Sequence, residues 1–101
     1  MQYGRRAARM TMDRAQDIAA RALLFIAEDA SRLGRFLAVT GLDPETLRCQ
    51  ARSPEMTGAA LAHVMEDEST LLAFSANCSV PPEDLGAAIR MLGVSSPWDS
   101  T

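Results

Sequence analysis

Apolar residues recur along most of the chain at the spacing of an α-helix. In the segment TMDRAQDIAARALLFIAED, residues 11–29, they form one broad stripe with polar residues on the opposite side. Shorter stripes at 33–37 and 60–65 repeat the pattern, so the chain is predicted to be a succession of amphipathic helices. The first stripe consists of Ala15, Ile18, Ala19, Ala22, Leu23 and Ile26.

The junctions between these stripes carry residues that end and begin helices. In the segment GLDPETL, Gly41 is favoured just past a helix end, Asp43 is a good N-cap, and Pro44 suits the first helical position. Leu42 and Leu47 occupy the two positions of a hydrophobic staple, in which apolar side chains on either side of the N-cap pack together. The segment is therefore predicted to end one helix and to start the next at a defined angle.

The same signals predict the neighbouring helix boundaries. Thr11 and Asp29 are expected to cap the first and second helices, and a third helix is predicted over residues 44–52. Ser53 followed by Pro54 then opens a fourth helix in the same way.

A looser copy of the junction segment, SVPPEDL, occurs later in the chain. An ungapped shift of 38 residues lays residues 22–52 over 60–90 and gives 12 identities in 31 positions. We therefore predict two similar three-helix units, at about 12–52 and 53–92, packed together because neither buries its apolar faces alone. Helices that share capping and staple rules would also look alike without a common origin, and the sequence leaves both explanations open.

Length and composition limit the architecture further. The 101 residues suffice for one domain with a modest core, and helix-favouring Ala, Leu, Met, Arg and Glu outnumber the β-branched and aromatic residues. The predicted fold class is all-α, a compact bundle of about six short helices. Residues 1–10 and 93–101 lack an apolar repeat, so a mobile basic arm and a mobile tail are expected around a single helical domain at 11–92.

The charge is unevenly distributed. The net charge is −3, but residues 1–52 carry nine of the ten basic residues, whereas 53–101 carry one against seven acidic residues. Every basic residue is Arg, whose planar fork suits carboxylates and phosphates, although the composition bias of a GC-rich genome has the same effect. The basic half is therefore suited to an acidic partner or to the acidic half of a second copy.

Nothing in the sequence indicates a membrane protein. The longest apolar run falls far short of the ~20 residues that a bilayer requires, and the N-terminal segment lacks the apolar stretch of a secretory signal. A cytoplasmic location without a membrane partner is expected, in which Cys49 and Cys78 stay reduced.

Residues suited to catalysis are sparse. The only histidine, His63, stands at the edge of an apolar stripe, where Phe25 stands in the other unit, and is expected to pack against the core. The acidic run at 66–68 is interpreted as a helix end and the next helix cap, and a Cys49–His63 pair has no supporting local signature. No catalytic, cofactor-binding or metal-binding residue is predicted, and the chain is not expected to be an enzyme.

The candidate interaction surface lies on and around the third helix. We predict a small non-enzymatic protein-interaction or regulatory module that binds a protein partner or a second copy of itself. The alternative is a DNA-binding helix-turn-helix regulator, in which helix 44–52 meets the bases and the arm's arginines meet phosphates. The residues of this surface are Arg35, Arg48, Cys49 and Arg52.

The most distinctive segments, RFLAVTGLDPETLR and EDESTLLAF, also carry a family resemblance. Over about residues 13–93 the chain resembles a family of short, uncharacterised bacterial helical proteins, classed as a domain of unknown function. The resemblance implies a compact helical domain of about this length, and it implies no activity, cofactor or site residue.

Overall fold

The computed structural model describes residues 10–93, and the regular structure of this range is entirely helical. No strand occurs within it, so the prediction of an all-α bundle of about six short helices is confirmed. The six helices are α1 (Met12–Ala27), α2 (Ala30–Thr40), α3 (Pro44–Cys49), α4 (Pro54–Met65), α5 (Glu68–Cys78) and α6 (Pro82–Leu92).

The predicted arm at 1–10 and tail at 93–101 lie outside the described residues, except for Met10 and Gly93. The prediction assigns Met10 to the arm, but its side chain is half-buried and packs against the core. A flexible thioether side chain fills such a gap readily. The packed part of the chain therefore begins just before α1.

Five of the described helices start at a side-chain cap, as their sequences predict. The caps of α3 and α5 are Asp43 and Asp67, whose carboxylates accept hydrogen bonds from the backbone N–H groups of Thr46 (2.7 Å) and Thr70 (2.9 Å). Hydrogen bonding to these two threonines lowers the pKa of both aspartates. The remaining side-chain caps are Thr11, Asp29 and Ser53. Helix α6 begins after Pro81 and has no side-chain cap.

Three of the described helices end at a residue whose backbone adopts the left-handed conformation. Gly41 follows α2 at φ 76°, and Gly93 follows α6 at φ 68°. Ser79 follows α5 at φ 58°, a conformation that costs a residue with a Cβ about 1–2 kcal/mol. The backbone N–H of Ser79 donates to the Ser75 carbonyl, which satisfies part of the helix end.

The third helix is shorter than the predicted span of 44–52, because α3 ends at Cys49 and Gln50 is its C-cap. Ser53 must be extended (ψ 142°) to cap α4, and Pro54 disfavours the helical conformation in the residue before it. The chain therefore leaves the helix early, and Arg52 lies in the turn rather than on α3.

Helix α1 is the centre of the bundle and packs mainly against α4 and α6, and also against α2. Helix α4 is enclosed by α1, α5 and α6, and small buried residues such as Gly58 and Ala60 let its neighbours approach closely. The largest fully buried side chains are Phe36, Phe74, Ile18, Ile26, Leu61, Leu85 and Val64. The two staples reach this core, because Leu47 and Leu85 are both buried.

The helix boundaries of the two halves match closely when the chain is overlaid on itself with the 38-residue shift. Helices α2 and α5 coincide over their whole length, α1 and α4 end at matching residues, and α3 and α6 begin at matching residues. The packing of the two halves differs, because α6 packs on α1 and α4 while the six-residue α3 makes only sparse contacts with other helices. The two-unit repeat therefore stays a prediction.

Candidate functional site

An open groove of about 610 Å³ runs between the second half of α1, the start of α2, and α3 with its following turn. We call it the α1–α3 groove. Eight of its ten lining residues are apolar and the other two are arginines, so the groove combines an apolar floor with a basic rim. The lining residues are Ala20, Leu23, Leu24, Ala27, Leu33, Pro44, Leu47, Arg48, Ala51 and Arg52.

The apolar floor has a buried part and an exposed part. Leu23 is 7 % exposed and Leu47 is 9 % exposed, so both belong to the core. Leu24 is 63 % exposed, because successive residues on a helix point about 100° apart and Leu24 lies beside the buried stripe. A concave surface that is mostly apolar and has a few polar groups has the usual composition of a binding cleft.

The rim arginines differ in how they are paired. Arg48 Nη1 lies 3.0 Å from Glu45 Oε1, and both side chains are about three-quarters exposed (75 % and 73 %). An exposed pair of this kind is worth only about 0–1 kcal/mol, so another carboxylate displaces Glu45 at little cost. Arg52 is exposed and makes no ion pair or hydrogen bond within residues 10–93.

The other two predicted surface residues do not line this groove. Arg35 is exposed on α2 and lines a separate depression of about 250 Å³ between the starts of α2 and α5. Cys49 is exposed at the end of α3 and is absent from the groove lining. The structure thus places Arg48 and Arg52 on one groove and Arg35 on a separate depression, while Cys49, which follows Arg48 in the chain, lines neither.

The depression that contains Arg35 has a mixed polar and apolar lining, in which Arg32 is already engaged by neighbouring groups. Arg32, another lining residue, stacks on the Phe25 ring at 3.9 Å and lies 3.7 Å from the Asp29 carboxylate. The Asp67 carboxylate also lines the depression, which therefore contains both basic and acidic groups.

His63 lies at the boundary between this depression and the core, as the sequence predicts. Its ring packs edge-on against Phe36, with centroids 5.2 Å apart. Burial lowers the pKa of His63, and the positive charge of Arg35 lowers it further. The imidazole is therefore held neutral near pH 7 and has a packing role.

No group of three or more His, Cys, Asp or Glu side chains within residues 10–93 is placed to hold a metal ion. Over the same residues, no helix is long and apolar enough to cross a bilayer. The α1–α3 groove is therefore the site with the clearest chemical character in the part of the chain that the structure describes.

The sequence indicates the rim arginines of this groove and the buried leucines of its floor, but not the exposed part of the floor at Leu24. Leu24 falls outside the predicted α1 stripe, and no residue of α1 was expected to share a surface with α3. A leucine just off a buried stripe is a weak signal, because single exposed leucines are common. The exposed Leu24 becomes informative only in the tertiary structure, where α2 and α3 border the same groove.

Comparison with known protein families identifies the chain as similar to an uncharacterised family. The family model described as "Protein of unknown function (DUF3572)" matches residues 12–94. No curated protein and no solved structure matches the chain.

Proposed function

The chain belongs to the DUF3572 family of proteins of unknown function, and we propose that it is a small, non-enzymatic protein-interaction or regulatory module. Its docking surface is the α1–α3 groove. The observation that carries this proposal is Leu24, which is 63 % exposed in the apolar floor of the groove.

The energetics favour a covered groove. Full burial of a leucine side chain is worth about 1.5–3 kcal/mol, so covering Leu24 would add about 1–2 kcal/mol to binding. Ala20, Ala27 and Pro44 are also exposed and would contribute further apolar area. Interfaces commonly have such a centre of apolar side chains with arginine at the edge.

Quantitative affinity capture tests the proposal. The full chain and its Leu24→Glu variant are compared as baits in extract of the cells that encode the protein. Leu72→Glu is the matched control, because Leu72 is a leucine on α5 that is 51 % exposed and does not line the groove. Proteins lost with Leu24→Glu and retained with Leu72→Glu support the proposal, whereas identical captures with all three baits contradict it.

The partner of this interaction module could instead be a second copy of the chain. The basic first half and the acidic second half would then meet between two copies. Light scattering on the purified chain at low and high salt measures this directly. A dimer that dissociates as salt rises supports it, and a monomer at every concentration and salt level excludes it.

The cellular setting proposed is the cytoplasm of a bacterium. What supports the cytoplasm is that Cys49 and Cys78 are both free thiols, as is usual in a reducing compartment. Partial secretion or disulfide formation in cells would contradict this placement.

A DNA-binding regulator is the alternative function. What supports it is that Arg48 and Arg52 are both exposed around α3 and available to phosphates or base edges. Labelled duplex DNA is titrated at two salt concentrations with the natural chain and with Arg48→Ala combined with Arg52→Ala. Salt-sensitive binding that the double variant weakens would support this alternative, and no binding at low salt excludes it.

A further inference from the structure

Matching positions on α1 and α4 differ sharply in exposure. The 38-residue shift lays Leu24 over Ala62, yet Leu24 is 63 % exposed while Ala62 is 6 % exposed. One helical turn earlier, Ala20 is exposed while its counterpart Gly58 is buried. The face of α4 that carries Gly58 and Ala62 is therefore buried, whereas the matching face of α1, with Ala20 and Leu24, is exposed.

The third helices of the two halves differ in length and packing. Helix α6 has 11 residues and packs against both α4 and α1, whereas its counterpart α3 has six residues and packs only sparsely on other helices. The shorter α3 borders the groove on α1 and leaves it open.

Helix α6 also shows how a helix docks on α1. Its apolar residues Leu85 and Ala88 are fully buried, and Asp84 in its first turn reaches Arg14 of α1, with Oδ2 and Nη2 3.5 Å apart. The α1–α3 groove offers the same two ingredients, because it has an apolar floor and two rim arginines, of which Arg48 is paired, among the described residues, only with the exposed Glu45.

From these observations we propose that the α1–α3 groove binds an amphipathic helix of a partner protein, which carries acidic residues beside its apolar stripe. Residues at i, i+3 or i+4, and i+7 of that helix lie on Leu24 and the alanines, and its carboxylates meet Arg48 and Arg52. This inference rests on the proposed protein-interaction function and specifies its partner.

A helix fits this surface better than an extended strand. Strand addition needs an exposed sheet edge with unpaired backbone groups, and residues 10–93 contain no strand. A helix satisfies its own backbone hydrogen bonds, so it requires only the apolar floor and the basic rim that the groove provides.

Site-specific photo-crosslinking tests the nature of the partner segment. A benzophenone amino acid replaces Ala27, which is exposed in the groove, in the full chain inside cells of the source organism. The matched control carries the same amino acid in place of Ala73, an exposed alanine on α5 outside the groove. Mass spectrometry of the crosslinked peptides then identifies the segment that contacts each position.

The outcomes separate this inference from the proposed function. A crosslink at Ala27, absent at Ala73, to an acidic segment with helical apolar spacing supports both. A crosslink at Ala27 to a second copy of this chain, or to a segment that is basic or lacks that spacing, overturns the acidic-helix partner and leaves an interaction role intact. Absence of any crosslink specific to Ala27 overturns both.

The contribution of Arg48 and Arg52 to binding is measured separately. The crosslinked segment is synthesised as a fluorescent peptide and titrated against the natural chain and against Arg48→Glu combined with Arg52→Glu. Reversal of two exposed charges is expected to weaken binding roughly three- to tenfold at low salt, and a peptide with its acids changed to lysine is expected to recover it. Equal affinity for both forms of the chain would overturn the role assigned to the arginines.

Discussion

The staple leucines of the two halves are expected to differ in their contribution to stability. Leu85 is fully buried in the core, whereas Leu47 is 9 % exposed and lines the α1–α3 groove. The perturbation is Leu→Ala at each position, with Leu72→Ala as the exposed control. The comparison asks whether a cavity next to an open groove costs less than a cavity inside the core.

The magnitudes follow from transfer and cavity contributions. Loss of three buried carbon atoms costs about 2.4 kcal/mol at about 0.8 kcal/mol per carbon, and this applies at both positions. At Leu85 the space is sealed, and a residual cavity of about 60 Å³ adds roughly 1.5 kcal/mol. At Leu47 the space joins the groove and fills with water. We therefore expect a loss of about 4 kcal/mol for Leu85→Ala and about 2.5 kcal/mol for Leu47→Ala.

Urea unfolding followed by far-ultraviolet circular dichroism measures these losses, with free energies obtained by linear extrapolation. A domain of this size has a stability of about 5–15 kcal/mol, so both variants should remain measurable. Leu72→Ala should stay within about 0.5 kcal/mol of the natural chain. Equal losses at Leu47 and Leu85, or a larger loss at Leu47, would refute the reasoning from the groove, and losses below about 1 kcal/mol at both would show that neither leucine is a core residue.

Three further predictions concern helix ends and titration. Ser79→Gly should stabilise the chain by about 0.5–1 kcal/mol because it removes left-handed strain, and Gly41→Ala should destabilise it by about 1–2 kcal/mol, both read from urea midpoints. The pKa values of Asp43 and Asp67 are lowered in the folded state. The two caps therefore contribute stability above the ordinary pKa of 3.8, and this contribution is lost as the pH falls below that value. Asp43→Asn combined with Asp67→Asn should flatten the dependence of the unfolding free energy on pH in that window. Burial lowers the pKa of His63 from 6.5, so the unfolded chain binds a proton more readily than the folded chain, and the free energy of unfolding falls as the pH drops below 6.5. His63→Phe should remove this dependence of the unfolding free energy on pH. An unchanged dependence would contradict the burial argument.

Much of the fold was predictable because its boundaries are set locally. A cap such as Asp43 bonds an amide only three residues away, and Gly41 ends α2 through its own φ angle. Both effects act within one turn of helix, so they are readable from residue type and spacing. The end of α3 was predicted wrongly because it depends on competition with the cap of the next helix at Ser53.

The candidate site was only partly predictable. Arg48 and Arg52 were identified from their positions on the predicted third helix, and the structure does place both on one groove. The helix-turn-helix interpretation assigns Arg35 to the same surface as a phosphate contact, but Arg35 lines a different depression, together with residues at the start of α5. Leu24 was not identified at all, since its significance depends on helices that follow it in the chain.

The sequence by itself determined where helices begin and end, which face of each is apolar, and that the chain forms an all-α bundle. These properties arise from interactions between residues a few positions apart. Only the tertiary structure decided that α6 packs across α1 and α4 while the shorter α3 leaves a face of α1 open. Packing between helices distant in sequence depends on side-chain shape and helix length together, and it is this packing that turns an ordinary leucine and two arginines into a groove with a defined chemistry.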